Sequence, residues 1–497
     1  MQVGISGNDN TSRVIIVGTL LAATVIGLAA GLAENTASLA WIGAIVVGII
    51  VLPSLAARPV WSVYLAFTSS MVYFSASVAG QVLSPVRVFG LITVGIWAMT
   101  LVSQPKSLTR LRSLVARNRI AQGMLLLVLA AVSTFLIGYL KFPAAVRSPQ
   151  LKFSPIGYVQ LLISSVLLYF SAIHFVNTER KVITLLKVMT WISVGGLLYA
   201  SAVMLMGRSG VYFLDTLGGG PNVRVRITQW YQILMPFLVV WLVSGRTRIL
   251  RKLALSLAIG VLLFGMILSA TRSAFVSIAV QLCLYTMWYP RKLGTRRPRL
   301  WIAILVLSVL VLTILASLVP ARFRELSLAR LAWLPMVGSR FDVETSRIPR
   351  YLKTASIYVR DLNWLTGIGF GHFEAVFHYH YTDLRDVVGT IWTDAHCLLI
   401  TLPLEMGILG IVVLWLFGSG IRIQLRRALH VGSASGNRDL YELAIGCTAS
   451  LFALVPSLLF QGPALLDRNL YFIMAIISVL GLVSRSGCQR NGGSSRN

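Results

Sequence analysis

The chain has 497 residues, of which 56% are hydrophobic and only 12% charged, and a formal net charge of +28. Soluble domains carry roughly 25% charged residues, so this composition excludes one. The positive charge is not a nucleic-acid footprint either, because the basic residues sit between apolar runs of 17 to 27 residues.

Such runs match the roughly 20 residues a helix needs to cross a ~30 Å hydrocarbon core. Membrane strands would show alternating segments of about 10 residues, and helices satisfy every backbone amide within their own segment. The expected fold is all-α, a polytopic transmembrane bundle of about 12–14 spans.

In chain order, the spans are predicted near 14–32, 39–57, 60–80, 86–103, 120–140, 155–176 and 182–207. The later ones fall near 228–244, 253–270, 273–289, 300–319, 395–418, 440–461 and 469–484. The first run is read as a span and not as a secretory signal. Cytoplasmic loops favour Lys and Arg. With a cytoplasmic N-terminus, the short basic connections 104–119, 245–252, 290–299 and the one after Phe417 all fall on the cytoplasmic side.

The outer side then receives 141–153, 208–227, the turn at Arg272 and one long segment, 320–393. Long loops translocate largely regardless of charge, so its nine basic residues do not overturn the orientation. Eight of the 16 Asp and Glu lie between 320 and 394, which marks a folded, water-facing subdomain. Within it, Ser346 to Arg360 has helical periodicity, with Ile348, Tyr351, Leu352 and Ala355 on one face. The organisation is therefore 1–207 N-terminal helices and 208–319 helices with arginine-bearing turns. An outer loop subdomain follows at 320–393, then C-terminal helices at 394–484 and a disordered cytoplasmic tail at 485–497.

Arginines mark the outer edges of several spans: Arg224 and Arg226, Arg272, and Arg347 or Arg350. A guanidinium near hydrocarbon is costly unless it pairs or faces water, and its planar fork suits phosphate oxygens. The plainer reading is snorkelling toward lipid headgroups. Gly218-Gly219-Gly220-Pro221-Asn222 before Arg224 is expected to form a tight or re-entrant connection, or an ordinary loop.

His396 opens a span in Asp394-Ala395-His396-Cys397, where a neutral imidazole is placed to accept a proton from a hydroxyl. Asp394 would orient that ring or cap the helix. His372, His378, His380, Glu374 and Asp383 lie among aromatic residues. Three readings stay open for them: metal binding, glycan contact or packing. Glu405 falls inside a span, where a carboxylate is functional or pairs with arginine. The four cysteines, Cys283, Cys397, Cys447 and Cys488, have no paired spacing and make neither a disulfide framework nor a zinc site.

Together these segments resemble the O-antigen ligase and polymerase superfamily. The similar elements are Thr271-Arg272-Ser273-Ala274-Phe275 opening a span, the arginine-led Arg347–Tyr351 in a long outer loop, and Leu365-Thr366-Gly367-Ile368-Gly369-Phe370-Gly371-His372-Phe373. Ala395-His396-Cys397-Leu398-Leu399 and Glu405-Met406-Gly407-Ile408-Leu409-Gly410 complete the pattern, with Pro221-Asn222 and Pro236 as an upstream match. The block covers about residues 260–417. It departs from the family at Cys397, where the family has Asn, and lacks a proline before Gly367.

The resemblance implies an inverting glycosyltransferase of the inner membrane, acting in lipopolysaccharide or exopolysaccharide biosynthesis without metal or cofactor. Its donor would be an undecaprenyl-pyrophosphate-linked glycan, and its acceptor another glycan or lipid A core. His396 would be the general base. Arg272, with Arg224 or Arg226 and Arg347 or Arg350, would hold the pyrophosphate. Asp394, Glu405 and His372 would complete the substrate site on the periplasmic face. Nucleic acid is not an expected partner; membrane lipids and polysaccharide-assembly proteins are. The competing classes are a transporter or flippase for lipid-linked sugars, and a non-catalytic assembly partner.

Overall fold

The computed structural model describes residues 54–71, 76–78, 81–83, 85–142, 155–205, 220–244, 249–269, 272–288, 347–359, 362–380, 397–460 and 468–493. The spans expected at 14–32 and 300–319, and nearly all of 39–57, lie outside them. So do His396, Asp394 and Asp383.

The described chain is helical. α1 (Pro59–Thr68) is followed by a short hairpin of β1 (Ala76–Val78) and β2 (Gln81–Leu83), paired antiparallel. Then come α2 (Pro85–Ser103), α3 (Pro105–Arg117), α4 (Arg119–Lys141), α5 (Pro155–Phe175), α6 (Glu179–Leu205), α7 (Gly220–Val243), α8 (Ile249–Leu268) and α9 (Arg272–Cys283). After the long undescribed stretch, α10 (Arg347–Val359), α11 (Asn363–Thr366) and α12 (Phe373–His380) precede α13 (Leu398–Met406), α14 (Ile408–Ala434), α15 (Arg438–Phe460) and α16 (Arg468–Gly493). Seven of these helices are long and apolar enough to cross a membrane, and an eighth if the bent pair α2–α3 counts as one span.

Several boundaries differ from the sequence reading, each for a local reason. The span expected over 60–80 stops as a helix at Thr68, with one 3₁₀ turn through Met71. There Thr68 Oγ1 bonds the Tyr64 carbonyl at 2.8 Å and Ser69 Oγ that of Ala66 at 3.1 Å, and such hydroxyls compete with the helical ladder. The basic connection 104–119 is largely the helix α3, set at 110° to α2. Pro105 cannot continue α2 but suits the first turn of a new helix, and α3 buries Leu114 on its apolar side. α7 begins at Gly220, so Arg224 and Arg226 lie inside its first two turns and not in a loop before it. α16 runs through residues 485–493, where a disordered tail was expected.

The bundle is tied at one end by polar contacts between helix termini. Arg485 donates to the carbonyl of Arg117, Asn437 Nδ2 to Glu179 Oε1 at 2.8 Å, and Arg438 to the carbonyl of Ser244 while pairing with Glu442 at 2.9 Å. This is the end that carries the basic connections. α4, α6, α8 and α15 run away from it, and α5, α7 and α16 run toward it. Midway, Phe67 of α1, Trp230 of α7 and Phe472 of α16 meet edge to face, with centroids 4.9 to 6.5 Å apart. Such aromatic pairs contribute about 0.5–1.5 kcal/mol beyond their burial.

Candidate functional site

The opposite end of the bundle carries a cap built from the two glycine-bearing motifs. The span expected as one helix over 395–418 is broken at Gly407, whose φ of 59° and ψ of −139° fit no helix. A side chain there would also place its Cβ 2.3 Å from the Leu365 carbonyl oxygen. The reciprocal approach occurs at Gly367, with φ 75°, where a Cβ would lie 2.3 Å from the Glu405 carbonyl oxygen. Only glycine permits both the backbone angle and the contact.

The last carbonyls of a helix lack intrahelical partners. Here the Leu404 and Glu405 carbonyls accept N–H bonds from Ile368 at 3.0 Å and Gly369 at 3.1 Å. Two segments some 40 residues apart in sequence are thus joined as backbone partners. α13 turns back onto α14, since the Leu402 carbonyl lies only 2.2 Å from where a Gly410 Cβ would stand.

The end of α4 closes the cap from below. Lys141 Nζ donates to Thr366 Oγ1 at 2.7 Å, Asn363 Oδ1 at 3.3 Å and the Gly367 carbonyl at 3.4 Å. Asn363 Nδ2 donates in turn to the Ile357 carbonyl of α10 at 2.9 Å. A small core of Ile357, Ile368, Phe373, Val376, Phe377 and Leu404 fills the cap, with Phe142, Tyr358 and Ile400 against it. Phe373 and Phe377 stack at 5.3 Å within this core, which favours packing among the readings left open for that aromatic stretch.

His372 is fully enclosed, at 0% exposure. Its Nδ1 lies 3.0 Å from the Phe370 carbonyl, its ring packs on Phe135 at 5.4 Å, and its Nε2 has no hydrogen-bond partner among the described residues. Burial pushes its pKa below the ordinary 6.5, against the raising effect of the Phe370 and Gly369 backbone contacts, and keeps the ring neutral. With no exposed surface it offers no face to a glycan in this conformation; it is a wedge between α4 and the glycine turn. Glu405 is also buried, and the span expected to contain it is broken just after it, so that it sits in the last turn of α13.

The periodicity of α10 put Leu352 and Ala355 on one face, and the structure turns that face outward. Thr354 and Ile357 are buried, whereas Leu352 and Ala355 are exposed.

Three helices open on arginine at this end or in the cap, α9 on Arg272, α10 on Arg347 with Arg350 a turn later, and α16 on Arg468, while α7 opens on Gly220 and carries Arg224 and Arg226 in its second turn. None has an acidic residue in its first turn. The N-terminal pole of a helix is already positive, so an arginine in the first turn, as at Arg272, Arg347 and Arg468, is opposed by about 0.3–1 kcal/mol unless an anion offsets it. Helix N-termini are also ready anion sites.

Below these starts runs a buried polar seam. Asn469 Nδ2 donates to Gln229 Oε1 at 2.6 Å, Ser457 Oγ to Gln232 Oε1 at 2.9 Å, and Ser277 Oγ to the Ala453 carbonyl at 2.7 Å. It fixes α7, α9, α15 and α16 to one another.

Sequence reasoning did not single out Lys141, Arg468 or the glutamines of the seam. Lys141 closes an apolar run and Arg468 opens one, the same signal that exposed Arg272. The structure brings together the Gly367–His372 turn, Glu405 and Gly407, and puts the backbone of Arg224, Arg226 and Arg272 at the cap's end of the bundle. Cys397 is the buried N-cap residue of α13.

Fold and site together define a multi-pass helical membrane protein with a cap over one end of its bundle. A family model described as O-antigen ligase matches residues 255–415, and this match supports the O-antigen ligase and polymerase superfamily for the chain. The matched stretch holds α9, α10, the glycine turn and the break at Gly407, but covers only about a third of the chain. No curated protein matches the chain.

Proposed function

We propose that the chain is an inner-membrane glycosyltransferase that takes glycans from an undecaprenyl-pyrophosphate donor on the periplasmic face. The observation that carries this reading is the set of arginines in the opening turns of α7, α9 and α10, turns that hold no acidic residue of their own, at the capped end of the bundle within and around the family match. The other end holds the basic connections, which favour the cytoplasm. The cap then faces the periplasm and both termini the cytoplasm.

In this reading Arg272, with Arg224 or Arg226 and Arg347 or Arg350, grips the pyrophosphate through bidentate hydrogen bonds. His396 takes the proton from the acceptor hydroxyl, whose oxygen attacks the anomeric carbon from the face opposite the leaving group. The bond from that carbon to the pyrophosphate oxygen breaks with inversion, and the arginines offset the charge released. Asp394 orients His396. Glu405 and the enclosed His372 hold the cap in shape. The acceptor is a second glycan or lipid A core.

Purified protein in liposomes, supplied with a defined lipid-pyrophosphate glycan, tests this. Lengthening of the lipid-linked product identifies a polymerase, and transfer to added lipid A core a ligase. A His396→Ala variant that inserts normally should lose about 10²–10⁴ in turnover. Arg272→Lys should fail to restore the activity lost in Arg272→Ala, because an ammonium lacks the planar fork. Full product from His396→Ala would overturn the assignment and return the chain to the transporter or assembly-partner class.

A further inference from the structure

The cap carries an apolar surface that the proposed reaction does not use. In α10, Leu352 is 66% and Val359 73% exposed, while Thr354 and Ile357 of the same helix are buried. The helix is strongly amphipathic, yet it presents its apolar side outward, the reverse of a helix on a water-facing domain. After residues 360–361, which lie outside the described ones, Leu362 is 61% exposed, and Trp364 and Leu365 of α11 are exposed as well. Leu362 is the one non-glycine residue with positive φ among those described, at 58°. Glycine or asparagine would adopt that backbone at less cost.

What covers this ridge follows from its neighbours. Asn363 is bonded to Lys141 and to the α10 carbonyl of Ile357, which fixes the ridge beside the end of α4. The residue before Lys141, Leu140, is 78% exposed on a helix that meets the membrane-span criteria. On the other flank, the Leu365 carbonyl abuts Gly407, next to which Ile408 opens the span α14 with its side chain half exposed. The ridge is therefore continuous with the lipid-facing surfaces of two spans. α4 rises about 1.5 Å per residue over its 23 residues, which puts Lys141 and the ridge near the edge of a ~30 Å hydrocarbon core. A tryptophan and a lysine at that level are typical interface anchors.

We infer that the cap is seated in the membrane leaflet: Leu352, Val359, Leu362, Trp364 and Leu365 insert into the lipid interface, so the site beneath α10 opens at headgroup depth and not into bulk water. The inference rests on the membrane-spanning bundle and not on the reaction assigned to it. A lipid-borne substrate would reach such a site sideways along the leaflet.

Site-directed spin labelling of the full chain in lipid nanodiscs tests this, with Cys283 and Cys488 replaced by Ser. Labels go on Leu352→Cys, Val359→Cys and Leu362→Cys, with Leu129→Cys in mid-α4 as the lipid-facing control and Gln104→Cys as the aqueous control. The expected result is high accessibility to oxygen and at least a several-fold lower accessibility to a water-soluble nickel chelate, as for Leu129→Cys. Accessibility to the chelate matching Gln104→Cys would overturn the inference. So would shielding from both reagents, which would mean that a second copy or another protein covers the ridge.

Discussion

Gly407 and Gly367 are the residues on which the cap turns. Each has a positive φ and each stands where a Cβ would meet a backbone oxygen of the other's segment at 2.3 Å. Gly407→Ala should cost about 1–3 kcal/mol from backbone strain alone, with the carbonyl clash added. The expected outcome is a lower melting temperature and faster proteolysis within 360–400, with insertion of the bundle retained. His372 gives the cap a pH response. Burial holds its pKa below 6.5, so above that value folded and unfolded states are both neutral and stability is full. As pH falls below 6.5 the unfolded chain takes up a proton that the folded cap resists, and stability is lost. Melting curves at pH 7.5 and 5.5 should show that loss in the parent protein and a smaller one in His372→Gln.

At the level of elements, the sequence reading found the long apolar helices among the described residues but read α3 as a loop, did not anticipate α11 or α12 as helices, and misjudged where apolar runs bend. Hydropathy reports that residues 395–418 belong near lipid; it does not report that the run folds back on itself at Gly407. The same holds for α3, whose basic residues read as a loop although Leu111, Leu114 and Val115 turn it into a surface helix. Lys141 joins α4 to the cap through three acceptors. Lys141→Met should weaken that joint by about 1 kcal/mol, a modest value because the ammonium is solvent-exposed. It should show as increased hydrogen exchange in 363–369. The seam between α7 and α16 is more protected. Asn469→Leu leaves Gln229 without its 2.6 Å donor and should destabilise the bundle by about 0.6–2 kcal/mol in a detergent melt.

For the whole molecule, the two ends differ in kind. One end ties helix termini together through Arg117, Glu179, Ser244, Asn437 and Arg485; the other carries the cap and the arginine-led helix starts. If the basic end is cytoplasmic, a membrane-impermeant thiol reagent added to whole cells should label Ser148→Cys, in the connection 141–153 expected on the outer side, and spare Gln104→Cys. The opposite pattern would invert the orientation and remove the periplasmic donor from the proposal.

Among the described residues, sequence alone determined the helical class, the approximate place of most long helices and the end of the bundle at which basic residues gather. Those properties are one-dimensional: the length of an apolar run and the charge beside it. It also exposed the arginines, since a charge at a span edge stands out locally. Only the tertiary structure decided that the two glycine motifs are each other's partners and that His372 is enclosed. It alone showed that α10 turns its apolar face outward. Each of these depends on contacts between segments far apart in the chain, and the periodicity of a helix says which residues share a face but not which way that face points.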